Sequence, residues 1–211
     1  MKKERVFIVG DIHGCLDMLR ELIDKIEWRP KKDRLIFLGD YVDRGRDPKG
    51  VIDFLLELKE ESDLVQCLLG NHEDLFLDYL KTGDLKLFLH NGGETTLLSY
   101  KVDGKIHVPD DHVSFLKSLD TIIEFEEYYI VHAGFRPDVD IHKQAMQDLL
   151  WIRDPFIFSD YNFGKRVIFG HTPFSSPLVM ENKIGLDTGA VYGNQLSCLE
   201  LRSMKYYSTE A

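Results

Sequence analysis

The first third of the chain alternates between short apolar runs and longer stretches with apolar residues at helical spacing. Residues 5–9, 35–38 and 64–69 are apolar runs of strand length. Between them, leucine and isoleucine recur every three or four residues over 16–28, and a second amphipathic stretch covers 48–58, with proline in its first turn. Strands that alternate with helices over short connections predict a parallel sheet with crossover helices.

The middle of the chain has a different pattern. Residues 73–119 carry apolar residues mainly at helical spacing, so we predict a mainly helical insertion that covers an edge of the sheet. From residue 121 onwards we predict one helix, at about 142–151, and strands at 122–125, 128–131, 167–169, 178–180, 184–186 and 196–201. Because no repeat, low-complexity tract or linker separates these parts, residues 1–211 are predicted to form one domain.

Composition and charge narrow the classes of function. Hydrophobic residues make up 44% of the chain and charged residues 29%, which is typical of a globular protein. The 36 acidic residues outnumber the 26 Lys and Arg residues, giving a formal net charge of −10. Such a chain is a poor general ligand for nucleic acid or for an anionic membrane, so we predict neither partner. A phosphorylated substrate stays compatible with this charge, because a metal cluster can reverse the sign of one pocket.

Two features of the sequence bear on location. Lys2 and Lys3 precede an apolar run of only four residues, too short for a signal peptide, and no stretch approaches the roughly 18 apolar residues of a membrane span. Cys15, Cys67 and Cys198 are too far apart for a CxxC pair, and three cysteines do not suggest a disulfide framework. We therefore expect a cytoplasmic protein.

Polar side chains follow five of the predicted strands at their carboxyl ends. The five clusters are GDIHG at 10–14, GDYVDRG at 39–45, GNHE at 70–73, HAG at 132–134 and GHT at 170–172. Because ligands bind beyond the carboxyl ends of parallel strands, we expect the clusters to meet at one edge of the sheet.

Together the clusters offer carboxylate, imidazole and amide donors without a thiolate. The candidate metal ligands are Asp11, His13, Asp40, Asn71, His132 and His171. A mixed nitrogen and oxygen set suits Mn, Fe or Zn better than Ca or Mg. Six ligands exceed what one catalytic metal with an open position needs. They fit two divalent metals about 3.5–4 Å apart that share a carboxylate, lower the pKa of a shared water and bind phosphoryl oxygens.

The same blocks resemble a known family. GDIHG, GDYVDRG and GNHE in this order, continued by HAG and GHT, are similar to the signature blocks of the PPP-type calcineurin-like metallophosphoesterases. That group includes serine/threonine phosphoprotein phosphatases and symmetrical diadenosine tetraphosphate hydrolases. The resemblance spans residues 10 to about 189 and implies a four-layer αββα sandwich, in which the later strands form a second sheet.

The resemblance also implies a role for each site residue. Asp11, His13 and Asp40 would hold one metal, and Asp40, Asn71, His132 and His171 the other, with Asp40 bridging. His72 would be the general acid, oriented by Asp43, and Arg44 and Arg153 would bind the substrate phosphate. A metal-bridging hydroxide would then attack phosphorus directly, with no phosphoenzyme. An exposed helix-end cation is the alternative for Arg153.

Other residues receive simpler interpretations. We predict that Asp187 supports the site and that Tyr192 borders the pocket. Cys15 is interpreted as a small buried hydrophobe, and Glu73 as a charge that favours a helix N-terminus. The four histidines outside the blocks are expected to be solvent-exposed: His90, His107, His112 and His142.

The predicted function is that of a metal-dependent serine/threonine protein phosphatase acting on phosphoproteins, with manganese preferred and iron or zinc as alternatives. The short chain, NGGETT at 91–96 and WIR at 151–153 resemble the compact bacterial and phage protein phosphatases. The alternative is a symmetrical diadenosine tetraphosphate hydrolase, which LDTG at 186–189 resembles. The net charge disfavours a nuclease. An inactive phosphoprotein-binding module is disfavoured because every ligand and the general acid are present.

Overall fold

Two five-stranded β-sheets face each other within residues 4–209, the part of the chain that this computed structural model describes. The described residues exclude 1–3, which contain Lys2 and Lys3, and 210–211, so both ends of the predicted domain 1–211 lie outside them. The first sheet contains β1 (Val6–Val9), β2 (Arg34–Phe37), β3 (Val65–Cys67), β11 (Ser197–Glu200) and β12 (Lys205–Ser208), in the order β12-β11-β1-β2-β3. The second sheet contains β6 (Ile122–Phe125), β7 (Tyr128–Val131), β8 (Arg166–Phe169), β9 (Leu178–Val179) and β10 (Lys183–Gly185), in the order β6-β7-β8-β10-β9.

Helices cover the outer face of each sheet. Beside the first sheet lie α1 (Leu16–Lys25), α2 (Pro48–Glu61), α3 (Asn71–Thr82), α4 (Lys86–His90), α5 (Glu94–Ser99) and α6 (Asp110–Lys117). Beside the second lie α7 (Met146–Trp151) and α8 (Asp154–Ile157). One hydrophobic cluster fills each helix–sheet interface and another fills the space between the sheets. The predicted four-layer αββα sandwich is therefore confirmed.

The strand β1 shows why its apolar run is continuous. Phe7 and Val9 pack against the outer helices, whereas Val6 and Ile8 pack against the second sheet. Alternate side chains of a strand point to opposite faces, and here both faces are buried. A strand covered on both sides needs apolar residues at every position, so periodicity alone would not identify its faces.

The predicted strand at 196–201 lies in the first sheet, so the expectation that the later strands form the second sheet is wrong for this one. It is observed as β11, which pairs antiparallel to β1 with Phe7 opposite Glu200. The following strand, β12, was not predicted. It lies at the sheet edge, where Lys205 is exposed and the apolar pattern is weak. Strand partners are set by contacts distant in sequence, which local patterns do not report.

Residues 73–119 are mostly helical but contain a two-stranded hairpin, β4 (Lys101–Val102) and β5 (Lys105–Ile106), that was not predicted. Phe76 of α3 and Phe115 of α6 join the core on the outer face of the first sheet. These helices therefore belong to the same outer layer as α1 and α2. Within residues 4–209, none of the helices has the length and apolarity needed to cross a membrane.

Candidate metal centre

The carboxyl ends of strands from both sheets bring the six predicted ligands together. Asp11 and His13 follow β1, Asp40 follows β2, and Asn71 opens α3 after β3. From the second sheet, His132 follows β7 and His171 follows β8. All six residues are buried, with at most 5% of their surface exposed.

Asp40 lies at the centre of this group. Its Oδ2 is 3.4 Å from His13 Nε2, and its Oδ1 is 3.4 Å from His132 Nε2. Among the described residues, two buried triads have ligand atoms within 4.8 Å of one another: His13, Asp40 and His72, and Asp40, His132 and His171. Two triads that share one carboxylate are the arrangement that a pair of bridged metals requires.

Asn71 adds an oxygen donor to the second triad. Its Oδ1 lies 3.0 Å from His132 Nε2 and 2.9 Å from His171 Nδ1. The distances bring an amide oxygen and two imidazole nitrogens to one point, as a shared ligand sphere needs.

Hydrogen bonds to backbone carbonyls orient two of the imidazoles. His13 Nδ1 is 2.9 Å from the Val42 carbonyl oxygen, and His132 Nδ1 is 2.8 Å from that of Leu38. Because a carbonyl only accepts, each Nδ1 carries the proton, which leaves the Nε2 lone pair directed at the centre.

Asp11 lies beside the centre, outside both triads. Its Oδ2 accepts the backbone N–H of His171 at 2.9 Å, whereas its Oδ1 is buried without a hydrogen-bond partner among residues 4–209. Burial, together with the Asp187 and Asp40 carboxylates, raises the pKa of Asp11. A Cβ atom at Gly170 would collide with this Oδ1, so glycine leaves the carboxylate its space. A buried carboxylate oxygen without a donor fits a metal ligand.

The backbone is strained at several site residues. Five of them have left-handed backbone conformations although none is glycine: His13 (φ 46°), Asp40 (φ 52°), Asp43 (φ 70°), Arg44 (φ 67°) and His171 (φ 61°). Such conformations are unfavourable and persist only where surrounding contacts hold them. Their concentration here marks a site whose geometry the fold enforces.

Glu73 supplies part of that enforcement. Its carboxylate accepts the backbone N–H groups of Asp40 at 2.8 Å, Tyr41 at 2.7 Å, Val42 at 3.1 Å and Gly70 at 3.0 Å. Burial and the Asp40 carboxylate raise the pKa of Glu73 to about 8, and the backbone donors oppose that rise. The sequence indicated only a helix-terminal charge, whereas the structure shows a side chain that holds the Asp40 loop.

The predicted general acid lies next to the centre. His72 Nδ1 is 2.7 Å from Asp43 Oδ2, and His72 Nε2 is 4.0 Å from Asp40 Oδ2. The bond to Asp43 fixes the ring so that its second nitrogen faces the Asp40 carboxylate.

The two predicted phosphate-binding arginines lie on either side. Arg44, half-buried, has its Nη1 2.7 Å from His13 Nε2. Arg153, exposed, has its Nε 3.2 Å from His171 Nε2, and its Nη2 donates to the His171 carbonyl at 3.3 Å. Two guanidinium groups therefore border the buried centre, one at each triad.

The family model described as calcineurin-like phosphoesterase matches residues 4–198. The chain belongs to the calcineurin-like phosphoesterase family. Members of this family use a dinuclear metal centre, and the histidines of both triads and the shared Asp40 could bind metals here. The resemblance inferred from the sequence blocks is thus confirmed, and the protein is a metallophosphoesterase.

Similar proteins carry two kinds of name. The serine/threonine-protein phosphatase 1 of Salmonella typhimurium is 30% identical over 213 residues, covering 93% of this chain and 92% of its own. The asymmetrical bis(5'-nucleosyl)-tetraphosphatase PrpE of Bacillus subtilis is also 30% identical, over 222 residues, covering 90% and 88%. A crystal structure of a candidate diadenosine tetraphosphatase superposes with a TM-score of 0.79 at 25% identity, covering 99% of this chain and 94% of that one.

The structure also describes three residues near the centre for which the sequence predicted supporting or packing roles. Asp187 Oδ1 accepts the Gly189 N–H at 2.9 Å, and burial raises the pKa of Asp187. Tyr192 is 63% exposed, with its ring 5.8 Å from the Arg44 guanidinium. Cys15 is half-buried and not fully buried as expected, and desolvation raises the pKa of its thiol, which favours the neutral form.

One expectation about the remaining histidines is wrong. His90, His107 and His142 are exposed as expected, but His112 is only 2% exposed. The Tyr100 hydroxyl lies 2.8 Å from its Nδ1, and Asp53 Oδ1 lies 2.9 Å from its Nε2. These partners satisfy both ring nitrogens, so the imidazole can be buried.

Proposed function

We propose that this metallophosphoesterase hydrolyses phosphoserine and phosphothreonine in proteins. The observation that carries the proposal is the buried pair of His72 and Asp43 beside the shared carboxylate of Asp40. A serine or threonine alkoxide is a poor leaving group, and its departure needs a proton donor. A nucleotide released from a polyphosphate leaves as a stabilised anion and needs much less help. A relative of matching length that is named a serine/threonine-protein phosphatase supports this choice.

We assign Asp11, His13 and Asp40 to one metal, and Asp40, Asn71, His132 and His171 to the other. His72 stays off both metals, although it lies in the first triad, because a proton donor needs its Nε2 free. Asp11 takes its place, since the buried Oδ1 lacks a donor. The mixed donor set favours manganese, with iron or zinc as alternatives. When bound, such ions activate the phosphoryl group electrophilically and lower the pKa of the attacking water.

The other side chains of the site bind the phosphate and protonate the leaving group. Arg44 and Arg153 hold oxygens of the phosphoryl group from either side, a task for which planar guanidinium forks are suited. Asp43 orients the imidazole of His72, which donates the Nε2 proton to the leaving oxygen as the P–O bond breaks. The products are the free hydroxyl of the protein and inorganic phosphate, and no side chain is phosphorylated.

Hydrolysis of a dinucleoside polyphosphate is the second candidate. The exposed ring of Tyr192 beside Arg44 offers a stacking surface for a base next to a phosphate-binding group. The PrpE relatives are named for asymmetrical cleavage, whereas the sequence blocks pointed to the symmetrical type. The products separate the types, since diadenosine tetraphosphate yields two ADP when cut symmetrically and ATP plus AMP when cut asymmetrically.

The test compares kcat/KM of the manganese-loaded protein for a phosphoserine peptide and for diadenosine tetraphosphate. We expect a preference for the peptide, and a preference for the dinucleotide would contradict the proposal. Cytoplasmic phosphoproteins are the proposed partners, which agrees with the free thiols of Cys15, Cys67 and Cys198 in the described part of the chain.

A further inference from the structure

Helix α5 reaches the site through one buried hydroxyl. Thr96 Oγ1 donates to Asp43 Oδ1 at 2.6 Å and accepts the backbone N–H of Asp43 at 2.9 Å. Both residues are completely buried. The single hydroxyl proton is therefore committed to the carboxylate, and the hydroxyl oxygen to the backbone of the same residue.

These two bonds determine the orientation of the Asp43 carboxylate. With Oδ1 held by Thr96, the oxygen left for His72 Nδ1 is Oδ2. The terminal torsion of an aspartate is broad, so a bond to one oxygen restricts a rotation that the chain itself leaves free. The bond to the backbone N–H also holds a residue whose φ of 70° is unfavourable.

The same segment secures the next residue of the loop. The Gly92 carbonyl accepts the backbone N–H of Arg44 at 3.1 Å. A Cβ atom at Gly92, whose φ is 97°, would lie 2.8 Å from Arg44 Cγ. Thr96 and Gly92 therefore contact the backbone of Asp43 and Arg44, respectively. In the proposed function, Asp43 belongs to the acid pair and Arg44 binds the substrate phosphate.

We propose that Thr96 is a positioning residue for the proton donor: it fixes Asp43 so that His72 points its Nε2 at the leaving oxygen. The proposal rests on the proposed function, because it requires His72 to protonate the leaving group. Thr96 acts through Asp43 and does not touch substrate. The helical segment between β3 and β6 would thus contribute to the chemical step.

The experiment measures kcat and KM of full-length, manganese-loaded Thr96→Val, Thr96→Ser and Thr95→Val proteins. The substrates are a phosphoserine peptide and p-nitrophenyl phosphate, whose leaving group needs little protonation. Thr96→Val should lower kcat for the peptide about 10- to 100-fold, as loss of an orienting partner typically does, with little change in KM. The loss on p-nitrophenyl phosphate should be much smaller.

Two variants serve as matched controls. Thr96→Ser keeps the hydroxyl and should restore most of the peptide activity. Thr95→Val removes a neighbouring hydroxyl of the same helix, whose one hydrogen bond within residues 4–209 goes to the Gly92 carbonyl at 3.5 Å, and should behave like the wild type. In a His72→Asn background, Thr96→Val should cause little further loss, because the two residues act through one pathway.

Three results would overturn the proposal: equal losses on both substrates, an undiminished loss in the His72→Asn background, or failure of Thr96→Ser to recover activity. Thr96→Ala is the second hydroxyl-free variant if the valine does not fold. Unfolding of both would also overturn the positioning role, since the hydroxyl would then serve stability. A wild-type protein that hydrolyses neither substrate would instead contradict the proposed function.

Discussion

His72 Nδ1 lies 2.7 Å from Asp43 Oδ2, and both side chains are almost completely buried. A histidine ring whose Nδ1–H donates to a buried carboxylate has one orientation, and in the protonated form that a general acid requires, the Nε2–H is the proton available for transfer. The pair thus separates a positioning nitrogen from a proton-transferring one.

The first prediction concerns this pair. His72→Asn should lower kcat for a phosphoserine peptide about 10²- to 10⁴-fold, the usual contribution of a positioned acid. The loss for p-nitrophenyl phosphate should be much smaller, because p-nitrophenolate departs without a proton. Steady-state kinetics on both substrates decides the point, and losses of equal size would exclude the general-acid role.

The arginines should differ in their contributions. Arg44→Lys should lower kcat/KM about 10- to 100-fold, because lysine replaces a charged, two-pronged contact worth about 1.5–3 kcal/mol. Arg153→Lys should cost less, since Arg153 is exposed and water competes for its contacts. Arg46→Lys, an exposed position on the same loop as Arg44, is the control. The reverse order of losses would contradict the assignment.

Metal binding should be visible as stability. After dialysis against EDTA, added manganese should raise the Tm of the wild type, because a ligand of the folded state stabilises it by about 2.7 kcal/mol at a hundredfold excess over Kd. In Asp40→Asn, which lacks the shared charge, less than half of this shift should remain. Asp17→Asn, at an exposed position in α1, should keep the full shift. An unchanged shift in Asp40→Asn would argue against a bridging role.

Acid should weaken the fold through Asp33. This fully buried carboxylate accepts from Arg29 and Arg5, each at 2.6 Å. Burial alone would raise the pKa of Asp33, but the two guanidinium groups outweigh it and hold that pKa well below its usual range. The unfolded chain therefore binds more protons, so the stabilisation is complete above about pH 4 and is lost as the pH falls further.

Asp33→Asn should accordingly lower the free energy of unfolding at pH 7 by about 1.5–3 kcal/mol. The difference from the wild type should shrink below about pH 4, where the unfolded wild-type chain binds a proton at this carboxylate and the folded protein still does not. Urea unfolding at pH 7, 5 and 3 measures it, with the exposed Asp24→Asn as control. A difference that is constant with pH would mean that packing and neutral hydrogen bonds, and not the charge of Asp33, account for the stabilisation.

That the six candidate ligands lie close together could be predicted because the signals for it are local. Asp11, His13 and Asp40 each stand within four residues of a strand end, and parallel strands bring such ends together. Apolar runs of strand length likewise predicted most strands of both sheets. These inferences need only the order of residues along short segments.

The rest depends on contacts that no short segment contains. Thr96 meets Asp43 across 53 positions, and the four N–H groups that Glu73 accepts come mostly from a loop more than 30 positions away. The partner of β11 and the burial of His112 are equally non-local. A threonine in a helix and a glutamate after a histidine are common, so their sequence context carries no distinctive signal.

The two sheets contribute to one centre from opposite ends of the chain. Asp11 and His171 are 160 positions apart, yet the His171 N–H donates to the Asp11 carboxylate. Ions held between the two sets of ligands would act as a cross-link that closes a very long loop, and such a closure removes much of the freedom of the open chain. Removal of the ions by a chelator should therefore weaken the contact between the two sheets first. Amide hydrogens of β7 and β8 should then exchange faster, while those of the first-sheet strands that α1 and α2 cover stay protected.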